Sequence, residues 1–266
     1  MRPATVVVTG ASSGIGRALA LAYAAPGISL GLVGRDRDRL DAVAAASRAK
    51  GAAATVAALD VRDRGGLAAW LAAFDDGAPV DLLIAGAGVM EGRPPGGVLE
   101  PADAAHALME TNVLGVLNAV QPLLPRMMAR RAGQVALIGS IAGFIPLPDS
   151  PSYCASKAAV LTYGLSLRAL LARHGVRVSV VCPGYVETPM MLRENGPKPF
   201  KMPAEKAAQI IRRGLDRDKA VIAFPFFFAL ATRINGLLPD GLRRRLSASF
   251  RFTVSPRNQS NSKSSA

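Results

Sequence analysis

Thr9-Gly10-Ala11-Ser12-Ser13-Gly14-Ile15-Gly16 is the stretch that decides the fold, because of what stands on either side of it. An apolar, β-branched run over residues 4–9 predicts a buried strand, and an alanine- and leucine-rich run from residue 17 predicts a helix. A strand, a glycine-rich turn and a helix are the setting of a dinucleotide-binding turn. There the glycines permit a tight turn and a close approach to a pyrophosphate, and the helix N-terminus offers unpaired N–H groups. We therefore expect a nucleotide cofactor at this turn.

Apolar strand-like runs and alanine-rich helical segments alternate through much of the remaining chain. Further strands are predicted at residues 28–33, 54–59, 80–85, 134–138, 176–181 and 219–224. Strands separated by helices of this length form a parallel sheet with right-handed crossovers. We predict a single-domain α/β fold, a doubly wound (Rossmann) parallel sheet of about seven strands with helices on both faces.

The residue that follows the second strand indicates which dinucleotide is bound. It faces the adenosine ribose in such folds, where a carboxylate would bind the 2′-hydroxyl of NAD. Arg35 stands at this position, and a guanidinium suits a 2′-phosphate. Asp36, one residue later, keeps NAD open as the alternative. We predict NADP(H) in preference to NAD(H).

A tyrosine and a lysine lie four residues apart in Ser152-Tyr153-Cys154-Ala155-Ser156-Lys157, which reads as helix. Residues at this spacing share a helix face, so the Lys157 ammonium can lie near the Tyr153 phenol and lower its pKa from about 10. Ser140 follows the strand at residues 134–138, at the sheet edge where such folds bind ligands. Asn112 lies inside an apolar stretch over residues 101–131, which is predicted to be helical with a bend near two prolines.

Together these residues resemble the short-chain dehydrogenase/reductase family, over nearly the whole length from Ala4 to about Phe224. The matching elements are the Thr-Gly-x-x-x-Gly-Ile-Gly turn, Asp60, Asn112, Ser140, Tyr153-x-x-x-Lys157, and Pro183-Gly184 with Thr188. The resemblance implies an NAD(P)-dependent oxidoreductase that moves a hydride between the nicotinamide and a carbonyl or alcohol. It also implies a homodimer or homotetramer.

The resemblance further implies a role for each catalytic residue. Tyr153 would be the general acid and base, and Ser140 would polarise the substrate carbonyl. Lys157 would lower the pKa of the tyrosine and hold the nicotinamide ribose, while Asn112 would sustain a water that relays protons. The residues implied to bind the cofactor are Gly10, Ser12, Ser13, Gly14, Ile15, Gly16, Arg35, Asp60, Val61, Ala87, Tyr153, Lys157, Pro183, Gly184, Val186 and Thr188.

One segment departs from the family pattern. The family usually has Asn-Asn-Ala-Gly after the fourth strand, whereas this chain has Ala85-Gly86-Ala87-Gly88. We expect the missing hydrogen bonds to be supplied by water or by the backbone.

The positive charge is concentrated near the C-terminus. The chain carries a formal net charge of +13, and residues 193–266 hold 15 Lys and Arg against 5 Asp and Glu. Residues 225–254 interleave apolar and basic side chains, which suits a pocket cap, a subunit interface or peripheral contact with an anionic membrane. We expect no nucleic-acid binding, because no recognition fold is visible. Residues 255–266 are polar and are predicted to be disordered.

The cysteines and the N-terminal sequence predict a cytoplasmic location. Cys154 and Cys182 form no close-spaced pair, and only two histidines accompany them, so neither a disulfide framework nor a metal site is expected. No signal-peptide pattern precedes the first strand, and no apolar run approaches the roughly 18 residues of a membrane span.

The predicted architecture is a catalytic domain over residues 1–224, a basic apolar extension over 225–254 and a tail over 255–266. The predicted function is NADP(H)-dependent reduction of an apolar, lipid-like or 3-oxoacyl carbonyl compound, or the reverse oxidation. Methionines in the loop after Thr188 suit a hydrophobic substrate. The alternatives are an NAD-dependent alcohol dehydrogenase and a non-catalytic dinucleotide-binding scaffold that docks through its basic C-terminal segment.

Overall fold

The computed structural model describes residues 3–235, 238–239, 241–242 and 251–256. The strands are β1 Thr5–Thr9, β2 Ser29–Gly34, β3 Ala53–Ala58, β4 Leu82–Ala85, β5 Gly133–Ile138, β6 Val176–Pro183, β7 Val186–Glu187, β8 Glu194–Asn195, β9 Met202–Pro203, β10 Val221–Phe224 and β11 Thr253–Val254. The α-helices are α1 Gly14–Tyr23, α2 Arg37–Arg48, α3 Arg64–Gly77, α4 Ala102–Met109, α5 Gly115–Val120, α6 Leu124–Ala129, α7 Pro151–Leu171, α8 Pro189–Leu192, α9 Ala204–Asp216 and α10 Phe226–Asn235.

Seven strands form one parallel sheet in the order β10-β6-β5-β4-β1-β2-β3. The chain reverses its direction of winding between β1 and β4, and in doubly wound sheets ligands bind beyond the carboxyl ends of the strands at this point. The predicted fold class is therefore confirmed, with strand and helix ends shifted by one to three residues.

Helices cover both faces of the sheet and bury two apolar clusters. One cluster contains Leu19 of α1, Leu40 of α2 and Ile211 of α9. The other contains Leu71 of α3 and Val160 of α7. Strands that are apolar on both faces, such as the fully buried β1, need this double cover, which explains the continuous apolar runs in the sequence.

The predicted helix over residues 101–131 is divided into shorter pieces. The structure breaks it between α5 and α6, close to the two prolines, as expected. It also contains a π-helical turn at Glu110–Leu114, which the sequence analysis did not predict. Such turns insert an extra residue and redirect the side chains that follow, and they often occur at functional sites.

Residues 251–256 return to the main body of the protein. Thr253 pairs with Asn195 and Val254 with Glu194, so that β11 and β8 form a small antiparallel sheet. Residues 243–245 and 257–266, which include the predicted arginine cluster and most of the predicted tail, lie outside the described residues. Among the helices that the structure describes, none has the length and apolarity to cross a membrane.

Candidate active site

A cavity of about 1680 Å³ opens at the carboxyl edge of the sheet. All the residues predicted to bind the cofactor line it, as do the predicted catalytic residues Ser140, Tyr153 and Lys157. Asn112 is buried behind the wall, while its neighbour Thr111 reaches the cavity. The structure therefore brings the predicted residues together around one space.

The glycine-rich turn leaves room for an anion against the backbone. Gly10 has a φ of +71°, and a Cβ on Gly16 would lie 2.3 Å from the Gly10 carbonyl oxygen, so a side chain there is excluded. Helix α1 begins beside this turn, and the side chain of its N-cap residue, Ser13, makes no capping hydrogen bond. Free N–H groups at a helix start are suited to a pyrophosphate, so these residues fit a dinucleotide.

The segment Ala85-Gly86-Ala87-Gly88 is supported by the side chain of Thr9, a source of hydrogen bonds that we had not expected. The Thr9 hydroxyl accepts hydrogen bonds from the N–H groups of Gly86, at 3.1 Å, and Ala87, at 3.2 Å. A Cβ on Gly86 would lie 2.9 Å from the Thr9 carbonyl oxygen, so an asparagine there would require the chain to shift. Thr9 thus supports the turn without the asparagines usual in the family.

Arg35 and Arg39 line the end of the cavity that is predicted to hold the adenosine. The Arg35 side chain is 56% exposed, and its guanidinium approaches Asp60 only to 3.9 Å. The Asp36 carboxylate accepts from the Arg39 N–H at 3.0 Å and pairs with the Arg39 guanidinium at 2.9 Å. Burial opposes ionisation of Asp60, but hydrogen bonds from Arg62 outweigh it and hold the pKa of Asp60 below its usual value. Arg35 is therefore the more available group for a ligand, and Asp36 is already engaged.

The π-helical turn places Asn112 where its amide is fully used. Its side-chain oxygen accepts from the Val89 N–H at 2.7 Å, and its Nδ2 donates to the Val89 carbonyl at 2.8 Å and to the Ser156 hydroxyl at 3.1 Å. A Cβ built on Gly88 would be 3.2 Å from the Asn112 oxygen and 3.6 Å from Lys157 Nζ. Asn112 thus joins the fourth strand's loop to helix α7, close to the lysine.

Tyr153 and Lys157 share the cavity face of α7, with Nζ 5.6 Å from the centre of the phenol ring. Nζ donates to the Ile138 carbonyl at 3.0 Å, and burial lowers the pKa of Lys157 to about 8. Burial raises the pKa of Tyr153 to about 12, and a hydrogen bond with Ser140 opposes only part of this rise. Desolvation of the phenol therefore outweighs its polar neighbours in setting this pKa, and the expected effect of Lys157 on Tyr153 stays a prediction.

These protonation states suit carbonyl reduction. A phenol with a pKa of about 12 carries its proton at neutral pH and can act as an acid towards a forming alkoxide. Ser140, at the N-terminus of the short 3₁₀ turn Ile141–Gly143, lies within hydrogen-bonding distance of the same phenol. The hydroxyl groups of Tyr153 and Ser140 can therefore both hydrogen-bond to one substrate oxygen.

The other side of the cavity is apolar and is built from chain segments that are distant in sequence. Met90, Phe252 and Val254 pack together against Leu147, Tyr153 and Met190. A buried carboxylate, Asp149, accepts from Arg93 Nε at 2.7 Å and from the Phe252 N–H at 3.0 Å. Residues 251–256 thus form part of the wall opposite the glycine-rich turn.

Several residues of this wall were not found by sequence reasoning. These residues are Asp149, Arg93 and Phe252, together with the buried Glu194 and its partner Tyr185. Their partners lie up to 159 residues away in the chain, so no local spacing marks them. The sequence feature that could have pointed to them is an isolated charged residue within an apolar or proline-rich stretch.

Comparisons with known proteins identify the family of this chain. A family model described as short chain dehydrogenase matches residues 4–198. An uncharacterized oxidoreductase of Myxococcus xanthus is 34% identical over 239 residues, covering 90% of this chain and 94% of that protein. A solved short-chain dehydrogenase from Sphingobium yanoikuyae, in complex with NADPH, is 30% identical with a TM-score of 0.76, covering 93% of this chain and 96% of that one. The bulky-bulky ketone specific alcohol dehydrogenase from Comamonas testosteroni is 26% identical with a TM-score of 0.76, covering 94% and 96%.

This chain therefore belongs to the short-chain dehydrogenase/reductase family. It is an NAD(P)-dependent oxidoreductase, as the sequence resemblance implied, and the alternative of a non-catalytic scaffold is left without support.

Proposed function

We propose that this protein reduces an apolar ketone or aldehyde with NADPH and catalyses the reverse oxidation at higher pH. The observation that carries the proposal is the protonated Tyr153 hydroxyl beside Ser140, between a dinucleotide turn and an apolar wall. The solved relative specific for bulky ketones supports a large carbonyl substrate. A lipid-like or 3-oxoacyl compound remains the substrate class that we propose.

The chain's own residues have distinct tasks in this reaction. The nicotinamide, when bound, supplies the hydride. The Ser140 hydroxyl hydrogen-bonds to the carbonyl oxygen, and Tyr153 gives that oxygen its proton as negative charge develops. Lys157 stays largely protonated at neutral pH and stabilises the phenolate that remains. Asn112 fixes the loop beside Lys157 through its two bonds to Val89.

Arg35 supports NADP(H) as the preferred cofactor. Its guanidinium lines the cavity, is largely exposed and forms a long ion pair of 3.9 Å with Asp60. A bidentate guanidinium suits the 2′-phosphate. The relative from Sphingobium yanoikuyae, solved with NADPH, favours the same choice.

A fluorescence titration with NADPH and NADH tests the cofactor preference. We expect NADPH to bind more tightly, and Arg35→Ala to weaken NADPH binding by about 10- to 100-fold while NADH binding changes little. Arg37→Ala is the matched control, because Arg37 is exposed, pairs with Asp41 at 2.8 Å and does not line the cavity. Tighter binding of NADH by the unaltered protein would instead establish the NAD-dependent dehydrogenase.

Exposed apolar side chains support a homodimer or homotetramer. Met109 and Leu114, next to Asn112, and Leu165 and Leu170 on α7 are exposed. Large apolar groups on these helices suit packing against a second copy. Leu114→Glu combined with Leu170→Glu should lower the mass measured by analytical ultracentrifugation, and an unchanged mass would contradict this assembly.

Helix α10 supports peripheral contact with a membrane surface. Phe226 and Phe227 are 68% and 83% exposed, and Leu230 and Ile234 are also exposed. Phe228 of the same helix lines the cavity, so a bound surface would lie near its opening. The protein should sediment with anionic vesicles at low salt, and Phe226→Ser with Phe227→Ser should abolish this. No sedimentation of the unaltered protein would refute the contact.

We also propose a cytoplasmic location. Cys154 and Cys182, which both lie among the described residues, are buried and form no disulfide bond, as in proteins of reducing compartments.

A further inference from the structure

One carboxyl group in the wall of the cavity has an oxygen atom without a hydrogen-bond partner among the described residues. Glu194, the first residue of β8, is only 4% exposed, and its Oε1 atom has no hydrogen-bond partner among the residues that the structure describes. Buried polar atoms are nearly always hydrogen-bonded, because burying one without a partner is costly. A buried, unpaired carboxyl oxygen at the edge of a substrate cavity therefore points to a ligand group that is meant to meet it.

The charged and polar groups around Glu194 leave this oxygen free. The Tyr185 hydroxyl hydrogen-bonds to the carboxyl group, and the Lys198 ammonium donates to the backbone carbonyl of Glu194 at 2.6 Å. Burial raises the pKa of Glu194, while Tyr185 and Lys198 oppose only part of this rise. Glu194 also contributes to the raised pKa of Tyr153, and both side chains line the same cavity.

Glu194 is held in a fixed position. Its strand pairs with β11, where it is opposite Val254. The preceding residue, Arg193, binds Glu91 at 2.8 Å and the Ser255 carbonyl at 3.0 Å. A polar group fixed by its surroundings can discriminate between ligands, because its geometry does not adjust to a wrong one.

The remainder of this wall is apolar and includes Met90, Leu147, Met190 and Phe252. A hydroxyl is the substrate group that fits best, because it can accept from a neutral carboxyl and donate to an ionised one. An ammonium group would suit only the ionised form.

We propose that Glu194 is a specificity-determining residue that binds a hydroxyl group of the substrate, at a distance from the carbonyl that Tyr153 and Ser140 address. This inference rests on the proposed function and narrows its substrate class to apolar hydroxy ketones or hydroxy aldehydes. Tyr185 is a positioning residue, because its hydroxyl binds the carboxyl group and leaves the second oxygen for the substrate.

The experiment compares 2-octanone with a series of hydroxy-2-octanones that differ in the position of the hydroxyl. For the unaltered enzyme, the best hydroxy ketone should have a kcat/KM at least about 10-fold above that of 2-octanone. Glu194→Leu should lower this ratio by about 10-fold or more while turnover of 2-octanone persists. Glu194→Gln, which keeps an acceptor and a similar shape, should restore part of the preference.

Glu187→Leu is the matched control, because Glu187 is an exposed carboxylate on the neighbouring β7 that pairs with Lys201 at 3.3 Å. This variant should keep the ratio of the unaltered enzyme. A ratio that is the same in Glu194→Leu as in the unaltered enzyme would overturn the proposal.

Calorimetric binding of the same ketones separates this inference from the proposed function, because binding requires no turnover. If no ketone is reduced with either cofactor, the proposed function fails, and the inference is then decided by affinity. Tighter binding of one hydroxy ketone than of 2-octanone, lost in Glu194→Leu, would support the hydroxyl site. Equal binding, or no binding of any ketone, would overturn it.

Discussion

The two sides of the cavity are built in different ways. The cofactor side consists of backbone at the carboxyl ends of parallel strands, where the turn containing Gly10 and Gly16 is fixed by steric contact. The substrate side is held by side chains from distant segments, such as Asp149 with Arg93 and with the Phe252 N–H. One side is therefore set by the fold itself, whereas the other depends on a few polar contacts that substitutions can change without loss of the sheet.

The largest expected effect is on the catalytic rate constant, and it comes from a substitution of Tyr153, which lies between the two sides of the cavity. Tyr153→Phe should lower kcat for carbonyl reduction by about 1000-fold, because it removes the proton donor. The affinity for NADPH should change by less than about 3-fold, since the ring remains. Steady-state kinetics and a fluorescence titration measure the two effects. Tyr163→Phe is the control and should retain activity, because Tyr163 lies on the same helix but is half-buried against the apolar core.

A smaller effect on stability and on substrate KM is expected from a substitution on the substrate side of the cavity. Asp149→Asn removes the charge that binds Arg93 and Arg251 and should lower the free energy of unfolding by about 3 kcal/mol, because a buried ion pair loses one partner. The KM for the ketone should rise more than the KM for NADPH, since the wall at Phe252 loosens. Chemical denaturation and initial rates provide both values, and an equal rise in the two KM values would contradict the division into two sides.

The same variant has a defined pH dependence. Burial opposes ionisation of Asp149, but Arg93 and the Phe252 N–H outweigh it and hold its pKa below the usual value. The carboxylate therefore contributes stability above the unfolded pKa of about 3.9, and this contribution is lost as the pH falls through the lower folded value. The difference in stability between Asp149→Asn and the unaltered protein should be constant from about pH 6 to 8 and shrink below about pH 4.

The smallest effect is a gain of stability at the catalytic lysine. The folded state lowers the pKa of the buried Lys157 to about 8, so protonated lysine destabilises the fold at neutral pH. Lys157→Met should raise the unfolding free energy at pH 7 by about 1 kcal/mol, partly offset by the lost bond to the Ile138 carbonyl, while activity is lost. The difference in unfolding free energy between the variant and the unaltered protein should disappear between about pH 8 and 10.5, where the lysine of the folded protein is already neutral. A gap that does not vary with pH would show that packing causes the effect.

Much of the cofactor side could be predicted from the sequence. The glycine-rich turn, the end of the strand before Ser140, and the four-residue spacing of Tyr153 and Lys157 are local patterns. Their meaning depends on neighbours within a few residues and on the general geometry of a parallel sheet. The family resemblance added the roles, which the measurements above test.

The substrate side could not be predicted, because its contacts are non-local. The environment of Glu194 depends on Tyr185 and on burial in the wall. The place of Phe252 depends on the hydrogen bond that its N–H donates to Asp149. The desolvation that raises the pKa of Tyr153 was also missed, since the spacing to Lys157 carries no information about burial of the phenol. The π-helical turn at Asn112 was not predicted, because its sequence pattern does not differ from that of an ordinary α-helix.

The pairing of β11 with β8 has a consequence for the order in which the protein becomes functional during synthesis. All seven strands of the large sheet have left the ribosome once residue 224 has emerged, and the cofactor turn is among the first parts to emerge. The wall that faces the substrate closes only after residues 251–256 arrive and pair with Glu194 and Asn195. A nascent chain could therefore bind the nucleotide before its substrate wall is complete and able to discriminate between substrates.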